Sequence, residues 1–208
     1  MVYNINYFII VKFSTMEDKE LSPQESLDLI QQMIGKARKR YTDNSFYFLL
    51  WGWITIVASV FHYVAASYTS FEYPYAGWSL TVVGAIVSMV KGSKDGRTAK
   101  VHNYTDKMYG WLWASLGIGM FTIIFNGQLL GWSVVPFILL FAGIGTSVSG
   151  AMMNFLPLRI GAVIFWLLAL AAFRVDPNQQ MLLMASGVAF GYLIPGYIMK
   201  SNAKKNAI

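Results

Sequence analysis

Cysteine is absent from this chain, and acidic residues are scarce, with ten Asp and Glu among 208 residues. Without a thiol there is no disulfide, no thiolate metal site and no cysteine nucleophile, and the redox compartment leaves no mark. Charge of either sign is thin. Charged residues make up 12% of the chain, against about 25% in a soluble domain. Also missing are paired carboxylates, His-Glu zinc spacing and a Gly-rich phosphate loop, and there are only two histidines. No enzyme class is expected, and no catalytic residue, metal or cofactor is assigned.

What is present is apolar surface. Hydrophobic residues make up 56% of the chain and aromatics 16%, with seven Trp. Six apolar stretches stand out, at 46–66, 73–90, 108–125, 131–153, 156–173 and 181–199. At a rise of about 1.5 Å per residue, most approach the ~30 Å hydrocarbon thickness of a bilayer. The stretches 73–90 and 156–173 are short and need local thinning or snorkelling ends. A soluble all-helical bundle is the competing reading. Its buried helices are usually shorter and alternate with amphipathic ones, which these do not.

The basic residues fall in every second gap. Lys36, Arg38, Lys39 and Arg40 precede the first stretch, and Lys91, Lys94, Arg97, Lys100 and Lys107 lie between the second and third. Arg159 opens the fifth stretch, and Lys200, Lys204 and Lys205 follow the sixth. Only Arg174 falls on the opposite side. The positive-inside tendency therefore predicts both termini in the cytoplasm. The same distribution accounts for the net charge of +6 without nucleic acid as a partner. The expected class is all-α: a polytopic bundle of six transmembrane helices at 46–200, with a basic cytoplasmic tail at 201–208.

Residues 1–15 read as an N-terminal extension of doubtful order, with translation expected to start at Met16. They do not resemble a signal peptide, because the apolar run at 7–11 is short and no small-residue cleavage site follows. Residues 16–45 form a cytoplasmic segment with an amphipathic helix. Ser22 is read as its cap, Pro23 as its first helical residue and Glu25 as the closing member of a capping box. Leu27, Ile30, Ile34, Ala37 and Tyr41 recur at helical spacing as one apolar face. Lys36, Arg38, Lys39 and Arg40 then sit where lipid headgroups are expected, at about 1 kcal/mol per basic residue near an anionic surface. An interfacial helix is the plainer reading, and a docking helix for a cytoplasmic partner the sharper one. Asp43-Asn44-Ser45 is expected to break it and cap the first span.

Short internal similarities suggest a hairpin used three times. Leu50-Trp51-Gly52-Trp53 matches Gly110-Trp111-Leu112-Trp113, and Gly77-Trp78-Ser79 matches Gly131-Trp132-Ser133. Convergent interfacial anchoring by Trp explains the same matches. Small residues recur at four-residue spacing, at Gly84/Ser88, Ser115/Gly119, Gly143/Ser147/Ala151 and Gly187/Gly191. In lipid, helices associate through close backbone approach, so Gly84, Gly119, Gly143, Gly187 and Gly191 are expected at helix contacts. The Gly/Ser-rich fourth stretch is the expected centre of the bundle or a subunit interface of a homo-oligomer.

Membrane pumps and enzymes keep ionisable groups at depth because those groups are used. The six stretches contain no Asp, Glu or Lys. His62 is expected near the outer interface, hydrogen-bonded to a neighbour. Ser147-Val148-Ser149-Gly150 is similar to the nucleophile turn of rhomboid-like proteases. It carries Ser147 where that turn has Gly, and no His follows in a later stretch. A permeation path, if one exists, is lined by hydroxyls and amides. The candidate pore or packing positions are Thr146, Ser147, Ser149, Ser115, Asn154 and His62. Hydroxyls in membrane helices also bond their own backbone. Pro136 and Pro195 could interrupt the fourth and sixth spans.

The run Asp43-Asn44-Ser45-Phe46-Tyr47-Phe48-Leu49-Leu50-Trp51-Gly52-Trp53, behind an amphipathic helix, resembles small six-span bacterial membrane proteins. The resemblance covers roughly residues 24–66. It implies topology and a bacterial cytoplasmic membrane, and no activity. Two functions stay open. One is a small oligomeric channel or facilitator for ions or neutral solutes. The other is a non-transporting scaffold or sensor subunit that engages a cytoplasmic protein.

Overall fold

The computed structural model describes residues 22–98 and 104–205. The expected extension at 1–15 and the start at Met16 lie outside them. Two compact units divide the chain, 1–40 and 41–208. In the first, helix α1 (Pro23–Tyr68) opens on a reciprocal cap. The Ser22 N–H donates to Glu25 Oε2 at 2.9 Å, and the Glu25 N–H donates to Ser22 Oγ at 3.2 Å. Two N–H groups that a helix start leaves unpaired are thereby satisfied. The side chains at 28–34 and 36–43 lie outside the described residues, and with them the apolar face and the headgroup positions Lys36, Arg38, Lys39 and Arg40.

The expected helix break at Asp43-Asn44-Ser45 is overturned, since α1 runs through it. Ser45 is buried and Asn44 donates its amide to Met153 Sδ at 3.6 Å. Asn44 thus finds a tertiary partner from helical backbone, which removes the competition that makes it a cap elsewhere.

Five further helical stretches follow. A 3₁₀ turn (Pro74–Ser79) leads into α2 (Leu80–Thr98), then come α3 (Tyr104–Phe125), a 3₁₀ turn (Gly127–Leu130), α4 (Val135–Met152) and α5 (Leu156–Ala172). Last come α6 (Pro177–Val188), a π turn (Ala189–Leu193) and α7 (Ile194–Lys205). No strand occurs among the described residues. Prolines mark the starts of α4, α5 and α6, where the missing N–H costs nothing. Pro136 therefore begins α4 and does not interrupt it. Pro195 acts differently. It offers no N–H to the carbonyl of Gly191, and the helix widens into the π turn just before it.

Two sequence boundaries shift. The stretch 73–90 begins as a 3₁₀ turn, with Gly77 pressed onto Phe61 and Ala58, and becomes α-helical only at Leu80. The stretch 131–153 gives up its first residues to a turn in which Gly131 (φ 56) and Trp132 (φ 63) are both left-handed. The Trp132 N–H donates to Gly127 O at 2.7 Å, and its ring covers Gly127.

Within 41–208 the helices pack antiparallel. On the α1–α2 seam Trp51 Nε1 donates to Ser88 Oγ at 3.2 Å, and Gly84 faces Ile54. Along α1 and the last helix, Asn178 Nδ2 donates to Ser67 Oγ at 2.6 Å, Gly52 lies against Leu193, and Gly196 against Leu49. On the α3–α4 seam Gly119 meets Phe141 and Gly145 meets Trp113 and Leu116. Gly143 under Trp166 and Gly150 under Arg159 mark the α4–α5 seam. Arg159 also closes the end of α4, donating from Nε to Gly150 O at 3.2 Å and from Nη2 to Asn154 Oδ1 at 3.1 Å.

Among the described residues, four helices are long and apolar enough to cross a membrane: Asn44–Tyr68, Lys107–Phe125, Val135–Met152 and Pro177–Lys205. A fifth, Leu156–Ala172, is apolar but shorter. Large apolar side chains face outward along α2, α3 and α5, among them Val82, Ile86, Ile118, Phe121, Leu167 and Leu170. Such a surface is compatible with lipid as its solvent.

Candidate functional site

Among the described residues the buried polar side chains are Ser45, Thr55 and Ser59 on α1, Thr146 and Ser149 on α4, and Gln180 on α6. Thr146 and Ser149 lie one turn apart and are fully buried. Thr146 Oγ1 donates to Ala142 O, and Ser149 Oγ to Gly145 O, each at 2.6 Å. A hydroxyl has one proton. With the Ser149 proton committed to a carbonyl, a tyrosine that reaches its oxygen must be the donor. Tyr109 Oη sits 3.2 Å from Ser149 Oγ, and the Tyr192 side chain is buried beside Thr146. The π turn is what brings Tyr192 here, by adding one residue to the turn that carries it.

Tyr192 also belongs to a cluster of aromatic rings. Tyr192 meets Phe165, Phe48 and Trp113 edge to face at centroid distances of 5.0, 5.4 and 6.4 Å, and Phe48 meets Trp113 at 6.1 Å. Rings from α1, α3, α5 and the π turn thus converge on one level of the bundle. The arrangement holds helices in register through hydrogen bonds and dispersion contacts. It offers no base to activate a hydroxyl, and no group of three His, Asp or Glu that could hold a metal occurs among the described residues.

The other sequence candidates lie elsewhere. His62 accepts a bond on Nδ1 from Trp78 Nε1 at 3.2 Å, which fixes a neutral imidazole with its proton on Nε2. Asn154 stands in the α4–α5 turn with φ 48, paired to Arg159. Ser147 is half-buried on α4, while Ser115 is exposed on α3. The structure brings Thr146 and Ser149 together and leaves the other four in four separate places. Of the expected packing glycines, Gly143 lies against Trp166, Gly191 against Phe165, and Gly187 against Leu139, Leu168 and Phe165. Gly84 and Gly119 abut Ile54 and Phe141.

Two important positions escape sequence reasoning. Gly161 on α5 faces the backbone of Gly191, with a hypothetical Cβ only 2.9 Å from Gly191 Cα. Its signal was hidden because it belongs to no four-residue repeat on its own helix. Gln180, in the first turns of α6, is buried to 1% exposure. Its Nε2 lies 2.6 Å from Ser133 Oγ, 3.1 Å from Ala172 O and 3.2 Å from Val175 O. That amide latches the α5–α6 turn to the turn before α4. Pro177 was its signal, since a proline at the first helical position moves the helix start ahead of residue 181.

No family model, no curated protein and no solved structure matches this chain.

Proposed function

We propose that the chain is a six-span integral protein of a bacterial cytoplasmic membrane, with both termini inside. It works there, as a homo-oligomer, as a non-catalytic scaffold or sensor subunit for a cytoplasmic protein. One observation carries the choice over a pore within the protomer. The hydroxyls best placed to line a path, those of Thr146 and Ser149, are fully buried and bonded to their own helix. A conducting path needs polar groups turned toward water. Here they are turned toward backbone.

The six-span count is supported by six antiparallel helical stretches and by the alternation of basic residues. The native chain has no cysteine, so single cysteines report sidedness directly. Cysteine at Tyr75 or Arg174 is expected to react with a membrane-impermeant maleimide added outside whole cells. Cysteine at Lys94 or Asn154 should react only after permeabilisation. If Tyr75 and Lys94 label from the same side, α2 does not cross. Equal labelling of Asn154 and Arg174 removes α5 in the same way.

A facilitator remains the second reading, with its path between protomers. Ser115 favours it, because it is exposed on α3, whose apolar window is 6% buried within the protomer. Proteoliposomes separate the two. The scaffold reading expects ion and small-solute flux equal to that of empty vesicles. Protein-dependent flux that falls at least tenfold on Ser115→Leu replaces it with the facilitator.

A further inference from the structure

The cytoplasmic end of α2 carries a second feature, unconnected with the buried hydroxyls. A shallow strip, open to the outside, runs along one face of this helix over Ile86, Val87, Val90, Lys91, Lys94 and Asp95. The lining is ordered by chemistry. Ile86, Val87 and Val90 form an apolar floor open to the outside, and the charged residues form a lip at one end. From Ile86 to Asp95 the helix advances about 14 Å.

The lip is held in place. Lys91 Nζ is 2.8 Å from Asp95 Oδ2 and lies over the rings of Phe46 and Tyr47, at 5.3 and 5.9 Å from their centroids. A lysine side chain ordinarily loses much rotamer freedom on binding an anion. Here α1 and Asp95 have already restricted it. Lys94 places a second lysine one turn further along the same helix.

We propose that this strip binds one anionic glycerophospholipid of the inner leaflet, its phosphate at Lys91 and Lys94 and the start of an acyl chain along Ile86, Val87 and Val90. The proposal rests on the membrane reading given above. A soluble metabolite fits less well, because half of the lining would face hydrocarbon. An amphiphile satisfies both halves at once, apolar floor with chain and basic lip with phosphate. Arg97 and Lys100 follow Lys94 in sequence.

Native mass spectrometry of detergent-purified full-length protein, titrated with phosphatidylglycerol or phosphatidylcholine, tests the site. The first phosphatidylglycerol is expected to bind at least tenfold more tightly than phosphatidylcholine. Lys91→Gln with Lys94→Gln should remove that preference, and Val90→Trp should weaken the same binding by blocking the floor. Lys204→Gln with Lys205→Gln makes an equal change of charge in the tail and should leave the preference intact. Retained preference in both strip variants overturns the site, as does an equal loss in the tail variant. A fold lost through the Lys91–Asp95 pair is recognised from the melting temperature, and Val90→Trp, which leaves that pair in place, then decides. A chain that stays monodisperse without any detergent overturns the membrane reading itself. That result is distinct from a detergent-requiring chain with no lipid preference.

Discussion

Replacing Ile118 with lysine is expected to deplete the protein from the membrane fraction and to lower its yield sharply. Ile118 lies midway along α3 and is 68% exposed. On a water-coated protein an outward lysine there would change stability by no more than about 0.5 kcal/mol. In the middle of a membrane helix a lysine costs about 2.5–3.5 kcal/mol, roughly a hundredfold or more in the insertion equilibrium. Leu27→Lys is the paired control. Leu27 is 53% exposed on the first turns of α1, outside the apolar stretches, and its replacement should leave the membrane yield unchanged. Fractionation and immunoblotting of the two variants read the outcome. Equal yields would place α3 in water.

The second large effect belongs to Gly161. A methyl group there would stand 2.9 Å from Gly191 Cα and 3.0 Å from Gly191 O. Both are backbone atoms, so no rotamer change relieves the clash, and α5 must move off the last helix. Overpacking a well-filled core costs about 1–3 kcal/mol, and a rigid neighbour puts Gly161→Ala at the upper end. Gly117 sits in an equally helical setting on α3 with nothing within 4 Å. There alanine should gain up to about 1 kcal/mol, because it restricts the unfolded chain and favours the helix. Thermal unfolding in one detergent is therefore expected to show the two glycine-to-alanine variants moving in opposite directions. Matching melting temperatures would mean that α5 and the last helix are not in backbone contact.

The two glycines show why sequence reading stops where it does. Both stand in apolar stretches, Gly117 two residues from the small pair Ser115/Gly119. Spacing alone favours the neighbourhood of Gly117, yet the close crossing is made by Gly161 and Gly191. A four-residue repeat says that one face of a helix is small. It does not say which face meets which neighbour. The same holds for the hydroxyls. Thr146, Ser147 and Ser149 are consecutive enough to suggest one polar surface, but at about 100° per residue Ser147 turns away from its companions. Tyr109 and Tyr192 complete the cluster from segments 40 and 43 residues distant along the chain from Ser149.

Composition and order along the chain were enough to establish an all-helical class, six apolar stretches and the reciprocal cap at Ser22 and Glu25. They also established that no carboxylate stands within those stretches. Such features depend on hydrogen bonds closed within a few residues, or on transfer of side chains out of water, and both are local properties. Tertiary structure alone decided that α1 continues through Asp43-Asn44-Ser45, that Pro195 is answered by a π turn, and that Gln180 latches two distant turns. The first and the last of these depend on a partner from a distant segment, Met153 for Asn44 and Ser133 for Gln180. A polar or helix-breaking residue takes the conformation in which its atoms are best satisfied, and only the packed bundle supplies the atoms that satisfy it.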